Sequence, residues 1–158
     1  MQEDAMKGLR ASLVELLEGR GAHLDLASSF AEIEHAEWGI ALGPHSLWQI
    51  LEHIRIAIED LHRFCLDPAY EAPKWPNDYW PQNAAPPGAG SPTAALSAIE
   101  TTLHAMIAMA KDPAVDLFAP LAWGDGQTIL RELLLAADHT SYHLGAAVLL
   151  RKQLAERR

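Results

Sequence analysis

Apolar residues recur every three or four positions over four stretches of the chain, which is the period of a helix buried along one face. The first stretch covers about residues 3–19, with Met6, Leu9, Leu13, Leu16 and Leu17 in phase. Gly19 and Gly21 end it. The segment "AHLDLASSFAEI" adds at most a short turn or helix, and "GIALGPHS" reads as a connection. A second helix opens at Ser46, a good N-cap after Pro44, and runs to about Leu66. The third spans about residues 92–111, and the fourth runs from an N-cap at Thr128 to about Ala155. Asp-Pro pairs at 67–68 and 112–113 stop the second and third, because the residue before a proline is pushed out of helical geometry. No stretch alternates with the period of two that a strand requires.

Four amphipathic helices of this length predict an all-α protein, a four-helix bundle forming one domain over residues 1–158. The segment between the second and third helices, 67–92, is long and irregular, with prolines at 68, 73, 76, 81, 86, 87 and 92. It can traverse a helix length of ~30 Å. It therefore predicts a crossover and an up-down-down-up order, with the second and fourth helices antiparallel. Trp75, Tyr79 and Trp80 are expected to anchor this loop to the body of the protein. Its length also fits a lid over a site.

Composition narrows the picture. Of the 158 residues, 49% are apolar and 21% charged, a globular balance. No uninterrupted apolar run reaches the ~18–20 residues of a membrane span. The opening "MQEDAMKGLR" is polar and mixed in charge, unlike a secretory leader, and Cys65 stands alone without a disulfide partner. A cytoplasmic protein with no membrane partner is expected. The net charge of −9 argues against a nucleic-acid partner, and the basic tail "RKQLAERR" reads as the complement of a helix C-terminal dipole.

Candidate chemistry lies in the histidines. On the last helix, Glu132, Ala136, His139, His143, Ala146 and Leu150 form one stripe. Imidazoles at i and i+4 can reach one ion. A catalytic zinc usually takes three protein ligands and keeps one position open, so another helix must supply the third. His53 lies on the apolar stripe Ile50, His53, Ala57, Leu61, Phe64 of the second helix. His104 is a further candidate with no second ligand on its helix, and His62 reads as solvated. His23, His35 and His45 fall in connections and read as ordinary surface histidines. Cys65 reads as a small buried hydrophobe, not a nucleophile. Glu52 and Asp138 adjoin histidines in sequence but point elsewhere, towards surface or inter-helix contacts. Arg131 reads as a solvated arginine, and Trp48 and Trp123 as packing at the bundle ends. Tyr142 is open to a hydrogen bond at the site or to an interface.

These residues resemble a known family. "HSLWQILEHIRIAIED" at 45–60 and "TILRELLLAADHTSYHLG" at 128–145 are similar to the two signature regions of the DinB-like (YfiT-like) superfamily. "DPAYEAPKWPNDYWP" resembles its long second loop, and the likeness runs from about residue 9 to 152. The resemblance implies a four-helix bundle, often a homodimer. It implies a divalent metal, often zinc or nickel, on three histidines, carried over by position to His53, His139 and His143. It also implies thiol-dependent transfer or isomerisation with a low-molecular-weight thiol as cosubstrate. One departure is Ala146, where members often carry Gln after "YHLG". Three neutral imidazoles would leave the ion its charge, so a bound water or thiol would lose its proton readily. The residues therefore leave three functions open: a thiol-dependent S-transferase acting on a small molecule, a metal-dependent hydrolase, or a non-catalytic metal- or ligand-binding bundle.

Overall fold

The computed structural model describes residues 2–157, and among them the fold is all-helical. Five α-helices follow in order: α1 Gln2–Leu17, α2 Leu26–Ser29, α3 Leu47–Leu66, α4 Ser91–Lys111 and α5 Ile129–Ala155. Single 3₁₀ turns lie at His35–Glu37 and Asn77–Tyr79. Extended pairing among the described residues is limited to two isolated bridges, Ala41 with Ser46 and Pro120 with Thr128.

The helix ends form where local chemistry directs them. The Ser46 side chain accepts from Gln49 N and the Gln49 side chain accepts from Ser46 N, a reciprocal capping box that starts α3. Thr128 caps α5 by accepting from Arg131 N. Asp67 and Asp112 leave helical geometry, at ψ 107° and 114°, because each precedes a proline. Gly19, at φ +66°, takes the left-handed turn that closes α1.

Four long helices share one core. α3 packs against α4 and α5, and α1 packs against the same two helices. Leu13, Leu47, Leu51, Ile54, Ile58, Ile99, Met106 and Leu133 are wholly enclosed. Each such side chain contributes about 1.5–3 kcal/mol by leaving water. α4 is long and apolar enough, by length and composition, to cross a membrane. It meets that criterion as an average over a window that includes polar Thr, Glu and His positions, so no uninterrupted apolar run marks it in the sequence. Its Ala95, Ile99, Leu103, Met106 and Ala110 form a buried stripe within the core.

Contacts at the helix ends show where the connections run. The crossover leaves α3 at Leu66, yet further on its Ala84 carbonyl accepts from Ser46 Oγ at 2.5 Å, at the opening of α3. Gly39 permits the approach, since a Cβ there would stand 2.9 Å from Ala85 Cβ. At the other end of α3, Trp123 Nε1, on the loop entering α5, donates to Phe64 O at 2.8 Å. Arg10 of α1 donates to Ala110 O at 2.8 Å and to Val115 O at 2.7 Å, where α4 ends.

Candidate metal centre

The seam between α3 and α5 carries the chemistry. His53 projects from the second turn of α3, and His139 and His143 stand one turn apart on α5. Ala57, Ala136 and Ala147 are buried on the same two helices, and such short side chains leave room for rings. His53 and His143 are buried and His139 half-buried. One ring nitrogen from each lies within 4.8 Å of the others. The tightest approach is 3.1 Å, between the Nε2 atoms of His53 and His139. His143 meets both rings edge-on at 4.5 Å between centroids.

Hydrogen bonding fixes part of the protonation pattern. His53 Nδ1 lies 2.8 Å from the backbone oxygen of Tyr79. A carbonyl only accepts, so Nδ1 carries the hydrogen and Nε2 presents its lone pair to the cluster. His139 Nδ1 is buried without a hydrogen-bond partner. Burial, followed by the neighbouring His53, pushes His139 down to about 4. Burial, followed by His139 and His53, pushes His143 down to about 3. His53 is lowered too, chiefly by burial. All three are therefore neutral at pH 7.

This donor set fits a metal. Two Nε2 atoms 3.1 Å apart share at most one hydrogen between them, and neutral imidazole nitrogens are the common protein donors for zinc and other first-row divalent ions. The group offers three such donors and no carboxylate or thiolate.

Trp80 from the crossover walls one side. Its ring stacks on His53 at 3.8 Å and 4°, and His45 stacks on its opposite face at 3.7 Å and 8°. Beside this stack lies a cleft of about 480 Å³ bordered by Trp80, His45, Ile50, Tyr142, His143 and Ala146. None of its lining residues is an acid, a lysine or an arginine.

The three candidate ligands His53, His139 and His143 thus converge, and no other histidine among the described residues joins the cluster. His104 and His35 are exposed and outside the cluster, and His62 is half-buried, more enclosed than its pattern suggested. Exposed His23 meets Ser141 Oγ at 2.9 Å. His45 differs from its reading as an ordinary surface histidine, because the stack on Trp80 holds it half-buried at the cleft. Trp80 anchors the crossover as expected, but Trp75 is 72% exposed and touches Tyr79 edge-on. Glu52 makes an ion pair with Arg55, which also holds Glu59, and takes no part in the cluster. Exposed Arg131 pairs with Glu132, a buried carboxylate on the histidine stripe. Comparison with protein-family models, curated proteins and solved structures finds no match to this chain.

Proposed function

We propose that this single-domain chain is a metal-dependent enzyme of the DinB-like superfamily. In this reading His53, His139 and His143 hold one zinc or nickel ion. In the reaction the sulfur of an external low-molecular-weight thiol bonds to a carbon of a small electrophile, the thiol proton goes to solvent, and the electrophile's leaving group departs with the electron pair of the broken bond. The observation that carries the reading is the convergence of three neutral imidazoles, from two helices, within 4.8 Å. A divalent ion held by three protein ligands supplies an open position and lowers the pKa of a thiol or water bound there.

The bundle order we propose is up-down-down-up. It is supported by the return of the crossover to Ser46, the approach of Trp123 to the far end of α3, and the reach of Arg10 to the end of α4.

Other residues support an external nucleophile. Cys65 is buried, and burial followed by the charge of Glu132 pushes its thiol up to about 12. A thiol that stays protonated at neutral pH is a poor nucleophile, so the chain does not supply its own. The cleft beside His143 has room for a small molecule and no fixed charge on its wall.

The test is metal analysis of the purified protein, followed by incubation of the loaded protein with a panel of low-molecular-weight thiols and an electrophile. Metal-dependent consumption of thiol and electrophile together is expected. Turnover with water alone would make the protein a hydrolase. Metal without turnover would make it a binding bundle.

A further inference from the structure

His53 is aimed by a residue 26 positions away. The Tyr79 carbonyl that receives its Nδ1–H belongs to the crossover, and that carbonyl is itself held. The Tyr79 hydroxyl donates to Asp60 Oδ2 at 2.6 Å. Asp60 follows His53 by seven residues, two helical turns along the same stripe of α3. Tyr79 is therefore fastened to one helix at two points, through its backbone at His53 and through its ring at Asp60. The same stripe continues backwards to Gln49, whose Nε2 donates to Pro81 O at 3.0 Å. Gln49 holds the loop two residues further on and does not touch the carbonyl that meets His53.

We propose that Asp60 and Tyr79 are positioning residues for the metal centre, forming a latch that keeps His53 in its Nδ1–H tautomer with Nε2 facing His139 and His143. Metal-binding histidines mostly donate their remote N–H to an acceptor, and losing such a partner typically costs 10–100-fold in metal affinity. The acceptor here is a backbone atom that no substitution removes. Its placement depends instead on the phenol and the carboxylate, which substitutions do remove. The consequence for metal rests on the three-histidine reading above. The hold on His53 acts with or without an ion.

Four variants of the full chain test the latch: Tyr79→Phe, Asp60→Ala, Asp60→Asn and Gln49→Ala. Each is compared with wild type in two ways. The first is zinc affinity, by competition with a chromophoric chelator. The second is the tautomer of His53 in the metal-free protein, from its imidazole nitrogen resonances. Tyr79→Phe and Asp60→Ala should each weaken zinc about tenfold or more and give mixed His53 tautomers. Asp60→Asn, whose amide oxygen still accepts the hydroxyl, should keep the wild-type tautomer. Gln49→Ala loosens the loop at Pro81 and the cap at Ser46, leaves the two holds on Tyr79 in place, and should keep it too. Should one latch variant fail to fold, the other still decides. Wild-type affinity with an unchanged tautomer in Tyr79→Phe or Asp60→Ala would overturn the proposal. So would a tautomer equally mixed in Gln49→Ala, because any loosening of the loop would then suffice. If wild type binds no zinc, the metal reading falls, and the tautomer comparison alone decides the latch.

Discussion

Two seams of the bundle are built from similar helices and filled differently. Where α1 meets α4, the buried residues are apolar: Leu13 and Leu17 from one side, Leu103 and Ile107 from the other. Where α3 meets α5, three imidazoles lie among Ile50, Ala57, Ala136 and Ala147. The first seam stabilises by removing hydrocarbon from water. The second gives up part of that gain, since a buried polar atom without a partner costs about 1–3 kcal/mol and His139 Nδ1 is one. A seam that sacrifices stability in this way is suited to holding something, and the apolar seam is not.

Substitutions at the two seams should differ in size. Leu103→Ala should destabilise the protein by about 2–5 kcal/mol in urea unfolding, the usual cost of a core cavity. His139→Leu in the metal-free protein should stay within about 1 kcal/mol of wild type, because removing its unpartnered Nδ1 offsets the partner it takes from His53 Nε2. An equal loss from both would erase the distinction between the seams.

Acid should act on the α3–α5 seam. The folded values of His139 and His143, about 4 and 3, lie below the ordinary 6.5 that the unfolded chain regains. Between these values the unfolded chain binds more protons, so stability rises with pH. The contribution of these groups is complete above about 6.5 and is lost as pH falls towards 3. Metal-free protein unfolded in urea across this range should lose stability on acidification. His139→Leu should flatten that dependence, and Leu103→Ala should leave its slope unchanged.

How much of this was legible follows from which interactions are periodic. The four long helices and the caps at Ser46 and Thr128 were readable, because helix period and capping are local properties of the letters. The pairing of His139 with His143 on one face was readable for the same reason, but stripes alone left His104 beside His53 as a third candidate, and it was the resemblance to a known family that chose the set that converges. The latch was not readable. Its key atom is the Tyr79 carbonyl, and no residue type announces a backbone acceptor. Nor could spacing separate Trp75 from Trp80, which lie five residues apart in one proline-rich loop. Only the path of the crossover over α3 puts one on His53 and leaves the other exposed. His45 was missed because its neighbour in space, Trp80, is 35 residues away.

The central claim is that three histidines from two helices form one divalent-metal site. Its most direct test is zinc stoichiometry and affinity for wild type beside His53→Ala, His139→Ala, His143→Ala and the exposed control His104→Ala. About one ion per chain is expected in wild type and in His104→Ala, from three protein ligands around one centre. Near-complete loss is expected in each of the other three. Full occupancy in all three of those variants, or no zinc bound by wild type, would contradict it.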